Sequence, residues 1–173
     1  MDAIQAIMTR VSTRQFSEQP ISEENLRTIL AAGMAGPSAV NARPFSFVVI
    51  RDREQLNHMA DGNGRAAEPL RRAALGVLVC GDMARTFERA PDYWVIDGSI
   101  ACQNMILAAH ALGIGSVWLG TWPQAEKIQA QTGLFDLPED IVPHSIIAFG
   151  YPAGESKVQP DRYEEDRVHF EKW

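Results

Sequence analysis

The chain has 173 residues, enough for one domain of ordinary size with a buried hydrophobic core. Hydrophobic residues make up 46% and charged residues 22%, which is the composition of a globular protein. The net charge of −6 argues against nucleic acid as a general partner, because no large basic face is available.

Residues 10–16 follow a short amphipathic helix and form the first candidate binding site. Their β-branched and hydroxyl side chains favour an extended backbone, in which Arg10, Ser12 and Arg14 project to the same side. Two guanidinium groups and one hydroxyl would then converge on a small volume. Because guanidinium donors match phosphate oxygens, this arrangement predicts a site for a bound dianion. A basic stretch that faces water is the alternative.

A second helix begins after Ser22, whose side chain can cap it, and ends at a Gly-Pro pair. The loop that follows, 36–44, carries Ser38, Asn41 and Arg43 between two prolines that stiffen it. An asparagine amide both donates and accepts hydrogen bonds, so Asn41 can meet a heterocycle edge that presents N–H beside C=O. An ordinary helix-to-strand turn is the alternative.

Four apolar stretches predict β-strands, and the second, apolar throughout, is expected at the centre of the sheet; they are 45–50, 73–80, 114–120 and 145–150. Further helices are predicted over 53–60, 97–112 and 121–132. The helix 97–112 is apolar most of the way round, which places it in the heart of the domain or at a subunit interface.

Two regions carry aromatic residues outside the predicted core elements. In the irregular region 83–94, Phe87, Tyr93 and Trp94 either line a pocket or pack as ordinary aromatics. The polar tail, about 151–173, keeps spaced apolar and aromatic residues that a disordered tail rarely has. We therefore expect the tail to pack on something.

The cysteines and the hydropathy of the sequence indicate where in the cell the protein is found. No basic-then-apolar leader opens the sequence, and the longest apolar stretch is too short to span a bilayer. Cys80 and Cys102 lie in apolar runs without zinc-site spacing, so both are expected to be small core residues. Such cysteines fit a reducing cytoplasm. We expect a soluble, cytoplasmic protein.

No motif for catalysis by the protein's own side chains is present. Gly113-Ile114-Gly115 follows a predicted helix and opens a strand, which is the reverse of the dinucleotide-binding context. The four histidines lack nucleophile or carboxylate partners at a telling spacing, and each is expected to be structural. An anion site without a convincing acid, base or nucleophile suggests that a bound cofactor performs the chemistry.

Four motifs occur in order over essentially the whole chain. They are Arg10-x-Ser12-x-Arg14-x-Phe16, Pro37-Ser38-Ala39-x-Asn41-x-x-Pro44, Asp97-Gly98-Ser99-Ile100-Ala101-x-Gln103-Asn104-Met105 with Gly113-x-Gly115-Ser116-x-Trp118-Leu119-Gly120, and Ile147-Ala148-Phe149-Gly150-Tyr151-Pro152. Together they resemble the small nitroreductase family of FMN-dependent oxidoreductases. The resemblance implies an α+β, three-layer fold with a mixed central sheet flanked by helices. It also implies one domain over 1–173, in an intertwined homodimer whose tails pack on the partner subunit.

The resemblance further implies where two FMN molecules would sit at the subunit interface. Arg10 and Ser12 would hold the phosphate and ribityl chain, and Arg14 would lie near the flavin N1–C2=O edge, where a cation stabilises the reduced ring. The other subunit's loop would contact one side of the ring through Pro37, Ser38, Ala39 and Asn41. The strand backbone would line the other side, at Trp118, Leu119 and Gly120.

The tail and the substrate pocket carry over less directly. Arg162 is the best tail candidate for a further phosphate contact, with Lys157 and Arg167 as competitors. The family often has Gln and Trp around the second loop proline, where this chain has Arg43 and Phe45. Arg43 either adds positive charge near the flavin or the nicotinamide phosphate, or faces water. The candidate substrate pocket comprises Arg43, Phe87, Tyr93 and Trp94.

Three functional hypotheses follow from the resemblance. The first is hydride transfer from NAD(P)H through flavin N5 to an acceptor such as a nitroaromatic or a quinone, with no catalytic side chain. The second keeps the fold and uses reduced flavin for reductive dehalogenation or for oxygen-dependent breakdown of the flavin. The third is a non-catalytic FMN-binding protein.

Overall fold

The computed structural model describes residues 1–154 and 159–173, and four antiparallel β-strands form the central sheet. They are β1 Phe45–Ile50, β2 Leu75–Asp82, β3 Gly115–Gly120 and β4 Ile141–Gly150. Their order across the sheet is β1-β2-β4-β3, so β2 is central as predicted. The parallel component of the expected mixed sheet is a single bridge between Ser12 and Ser116.

Helices cover both faces of the sheet. The α-helices are α1 Ala3–Thr9, α2 Glu23–Met34, α3 Arg53–Asn63, α4 Tyr93–Ala111 and α5 Ala125–Leu134. Short 3₁₀ helices span Ala39–Asn41, Arg65–Arg72, Met83–Arg85 and Glu165–Arg167. The predicted α+β, three-layer class is confirmed. Among the described residues, no helix combines the length and apolar character needed to cross a bilayer.

Alternate residues of the central strands supply two separate cores. Leu78 and Cys80 face a cluster formed with α3 and the Arg65–Arg72 helix, whereas Val77 and Val79 face a cluster formed with α2 and α4. Each fully buried aliphatic side chain contributes roughly 1.5–3 kcal/mol through removal from water. The predicted all-apolar character of β2 is therefore explained by a core on each side.

Helix α4 lies in the heart of the domain, one of the two places predicted for it. A Cβ on Gly33 of α2 would lie 2.8 Å from the Met105 side chain, so the two helices approach closely at that glycine. The thiols of Cys80 and Cys102 are free and fully buried, as predicted. Burial raises the pKa of Cys80 to about 12.

The largest differences from the predicted element boundaries are the starts of three elements. Strand β4 begins at Ile141, not at residue 145, because a bulge at His144, opposite Val79 and Cys80, lets Pro143 join the pairing. Helix α4 begins at Tyr93, one turn earlier than predicted. Helix α5 begins at Ala125, four residues later than predicted.

Two apolar surfaces are left exposed in the single chain. Along α1, the side chains predicted to form the apolar face, Ile4, Ile7 and Met8, are 71%, 49% and 57% exposed. In the tail, Phe170 and Trp173 are also exposed. Packing of the tail on a partner subunit stays a prediction.

Candidate functional site

The segment Arg10–Phe16 is extended and held at two points, as its composition predicts. The Thr13 amide donates to the Ser116 carbonyl of β3 at 2.8 Å, and Ser17 donates to the Tyr151 carbonyl at the same distance. Gly115 permits this approach, since a Cβ there would lie 2.6 Å from the Thr13 hydroxyl. The segment therefore crosses one end of β3 and β4 in a fixed position.

Arg14 opens onto a cleft of about 1150 Å³, whose wall also contains Arg65, Arg71 and Arg72. Small-molecule sites commonly measure about 300–1,000 Å³, so the volume is sufficient for a cofactor-sized ligand. Arg71 is paired with Asp61 at 2.5 Å and with a neighbouring glutamate at 3.0 Å. In the part of the chain that the structure describes, the other three guanidinium groups have no carboxylate partner. The cleft therefore carries excess positive charge, although the protein as a whole is acidic.

The outer edge of β3 lies beside the Arg10–Phe16 segment. Because backbone groups alternate along a strand, the outward Ser116 carbonyl places the backbone groups of Trp118 and Gly120 on the same edge. The Gly120 carbonyl accepts from Asn63 Nδ2 at 3.2 Å and from Lys127 Nζ at 3.1 Å. No atom lies within 4 Å of where a Gly120 Cβ would be, so there is open space on the side where a side chain would project.

The loop 36–44 has a strained and fixed shape. Val40, Asn41 and Arg43 all have positive φ angles, between 47° and 58°. Such angles cost non-glycine residues about 1–3 kcal/mol each and persist only where surrounding contacts impose them. Here the Arg43 amide donates to the Ser38 hydroxyl at 2.9 Å. The loop is therefore more specialised than an ordinary helix-to-strand turn.

Asp97 on α4 supplies the other contact that fixes this loop. The Ala39 amide donates to its carboxylate, 3.1 and 3.3 Å from the two oxygens. Asp97 is 3% exposed, and burial raises its pKa while the hydrogen bond from Ala39 opposes that effect. The sequence prediction missed this role. The available signal was a carboxylate within an otherwise apolar helix.

The aromatic residues of the predicted substrate pocket lie in different environments. Trp94 is 5% exposed and packs edge-on against Trp122 and His144, with centroid distances of 5.0 and 5.7 Å. Tyr93 is exposed, and Phe87 is half-buried. Burial lowers the pKa of His144, which favours its neutral form. Participation in a substrate pocket stays a prediction for Arg43, Phe87, Tyr93 and Trp94.

The three tail candidates for a phosphate contact are not equivalent. Arg167 forms an ion pair with Glu164 at 2.5 Å. Arg162 is exposed and has no ion pair within residues 1–154 and 159–173. Lys157 lies outside the described residues. Arg162 thus has the free charge that its predicted role requires.

The predicted site residues fall into two groups in the single chain. Arg10, Ser12 and Arg14 lie beside β3, which carries Trp118 and Gly120. Hydrogen bonds within the described ranges do not join the loop 36–44 to the segment Arg10–Phe16. The loop is anchored instead to α4.

Known proteins similar to this chain agree with the fold. A family model described as "Nitroreductase family" matches residues 7–78 and 64–151. A protein of Methanothermobacter thermautotrophicus, whose name pairs NADH dehydrogenase with NAD(P)H nitroreductase, is 42% identical over 100% of this chain and 88% of its own. A Bacteroides thetaiotaomicron structure of the same name is 36% identical, with a TM-score of 0.92 over 99% of this chain and 98% of that one.

Another similar structure belongs to a protein described as FMN-dependent. The structure of an FMN-dependent nitroreductase from Clostridium difficile is 26% identical, with a TM-score of 0.88 over 98% of this chain and 99% of that one. The predicted motifs, the fold and these similarities agree over nearly the full length. The chain belongs to the nitroreductase family.

Proposed function

We propose that this chain is an FMN-dependent oxidoreductase that takes a hydride from NAD(P)H and reduces a small acceptor such as a nitroaromatic or a quinone. The observation that carries the proposal is the extended Arg10–Phe16 segment, fixed against β3 so that Arg14 opens onto a cationic cleft. Family membership and the names of the relatives support the same activity.

The Arg10–Phe16 segment, whose Arg14 end lines the cleft, fits the chemistry of FMN. Arg10 and Ser12 offer charged and neutral donors for a phosphate and a ribityl chain. Arg14 would supply a cation for the negative charge that the reduced ring gains. The outer edge of β3 offers backbone groups to a heterocycle, and the missing Gly120 side chain leaves room for it. When bound, FMN would accept the hydride at N5 and pass it to the acceptor.

The side chains bind and orient in this proposal, and none of them transfers the hydride. Arg10, Ser12 and Arg162 hold the cofactor's anionic end, and Arg14 favours its reduced form. Buried apolar residues, among them Val117 and Leu119, hold β3 firmly in the core. This division of roles explains why no nucleophile or general base is evident in the sequence.

A homodimer completes the proposed site. The loop containing Pro37, Ser38 and Asn41 is fixed in shape yet bound to α4, so a second copy would bring it to the ring. The exposed apolar face of α1 and the exposed aromatics of the tail provide surfaces for that copy to cover. The buried, free thiols support a cytoplasmic location.

Anaerobic titration tests the proposed activity. The purified protein, loaded with FMN, is titrated with NADH and separately with NADPH while the flavin absorbance is followed. Bleaching by at least one nicotinamide, and ping-pong kinetics with a quinone acceptor, are expected. A bound flavin that neither nicotinamide bleaches would contradict the proposed reaction.

A further inference from the structure

Three side chains form a closed network around the backbone at the end of β3. Asn63 and Lys127 both donate to the Gly120 carbonyl, and the Thr121 hydroxyl donates to Asn63 Oδ1 at 2.9 Å. Asn63 is 1% exposed and Thr121 is fully buried. The Thr121 hydroxyl therefore orients the Asn63 side-chain amide, so that its Nδ2 group donates to the Gly120 carbonyl.

Lys127 occupies an unfavourable place for helix stability. It lies in the first turn of α5, where the helix dipole disfavours a cation. Its ammonium group instead contacts a carbonyl that Asn63 already satisfies with one hydrogen bond. The second donor is thus not required to satisfy that oxygen, and the position of the charge needs another explanation.

The network lies beside the cationic cleft. Arg65 and Ala66, which line the cleft with Arg14, follow Asn63 by only two and three residues. The Gly120 carbonyl lies on the outer edge of β3, the same edge that the proposed site uses. Within the described part of the chain, the outward Gly120 amide has no backbone acceptor. A ring edge bound there would lie close to the Lys127 charge.

We propose that Asn63 and Lys127 are positioning residues for the flavin: together they fix the Gly120 backbone against the ring edge, and the Lys127 charge favours the reduced, more negative ring. The inference rests on the proposed function. It assigns the two residues different roles, since Asn63 acts through geometry and Lys127 acts through geometry and charge.

Differential binding of oxidised and reduced FMN tests the role of the charge. Dissociation constants for both forms are measured anaerobically on wild type, Lys127→Met and the matched control Lys127→Arg. For Lys127→Met, we expect the ratio of reduced to oxidised constants to rise roughly three- to tenfold, as for a partly solvent-screened charge pair. Lys127→Arg should stay near the wild-type ratio. Equal weakening of both forms, or no change in Lys127→Met, would overturn the assignment.

A second measurement on the flavin-free protein tests the geometry. The amide nitrogen of Thr121 is bonded to the Gly120 carbonyl carbon, so its NMR shift reports hydrogen bonding to that carbonyl. Lys127→Met and Asn63→Ala should each move the Thr121 amide signal, whereas Lys127→Arg should leave it nearly in place. An unmoved signal in both variants would refute the network. Failure of the wild-type protein to bind FMN would instead refute the proposed function.

Discussion

Removal of the Asp97 carboxylate should release the strained loop 36–44. In Asp97→Ala, the Ala39 amide loses both acceptor oxygens, now at 3.1 and 3.3 Å, while Val40 and Asn41 still have unfavourable backbone angles. A hydrogen bond to a charged group is worth roughly 1.5–3 kcal/mol. Because 1.4 kcal/mol is tenfold in an equilibrium, the equilibrium constant for ordering the loop should fall at least about tenfold.

The assay is FMN affinity, measured by quenching of flavin fluorescence. Asp97→Ala should bind FMN more weakly than wild type, by up to about tenfold for each 1.4 kcal/mol lost, since the loop must be ordered again on binding. Asp97→Asn is the matched control, because its amide oxygen still accepts from Ala39, and its affinity should stay close to wild type. Wild-type affinity in Asp97→Ala would refute the view that this carboxylate fixes a cofactor-binding loop.

The same pair of variants gives a prediction for stability against pH. Burial raises the pKa of Asp97 in the folded state, so the ionised carboxylate costs stability. This cost is absent below the ordinary carboxyl pKa of about 3.9 and grows as pH rises through the raised value. Thermal unfolding should therefore show Asp97→Asn more stable than wild type at neutral pH, with the two converging toward acid pH. A stability difference between the two proteins that does not change with pH would contradict a raised pKa for Asp97.

The remaining predictions concern the anion site, the strand crossing and the buried thiols. Arg14→Gln should weaken binding of reduced FMN more than that of oxidised FMN, which the same anaerobic titrations measure; equal weakening would contradict its role at the ring edge. Gly115→Ala places a Cβ 2.6 Å from the Thr13 hydroxyl and should destabilise the fold by about 1–3 kcal/mol in denaturant unfolding, with weaker FMN binding. Gly133→Ala, where a Cβ meets nothing within 4 Å, is its control and should be neutral or stabilising by up to about 1 kcal/mol. Burial raises the pKa of Cys80 to about 12, so neither cysteine should react with a thiol reagent until the protein unfolds, and rapid native-state labelling would contradict the core assignment.

Much of the fold could be predicted because local patterns and tertiary burial agree. The apolar run that became β2 is buried on both faces, and Ser22 caps α2 through the Asn25 amide, as its position indicates. Gly113 has a positive φ of 75° just after α4, and β3 follows it, so the Gly-x-Gly pattern stands between a helix and a strand as the sequence indicates. In each case, neighbouring residues were sufficient to determine the structure.

The contacts that sequence patterns missed join residues far apart in the chain. Asp97 and Ala39 are 58 residues apart, and Asn63 lies 57 residues from the Gly120 carbonyl it contacts. Neither pair forms a recognisable sequence motif. The topology of the sheet determines which distant chain segments meet. The early start of β4 was missed because a bulge at His144, an extra residue on β4 itself, lets Pro143 pair with Cys80 of β2.

The central claim is that the extended segment Arg10–Phe16 binds the anionic end of FMN at an interface between two copies of the chain. Sedimentation of the FMN-loaded protein, followed simultaneously at protein and flavin wavelengths, tests it most directly. We expect a yellow dimer with one FMN per chain, and a colourless monomer for the double variant Arg10→Gln with Arg14→Gln. A wild-type protein that sediments as a colourless monomer in the presence of excess FMN would contradict it.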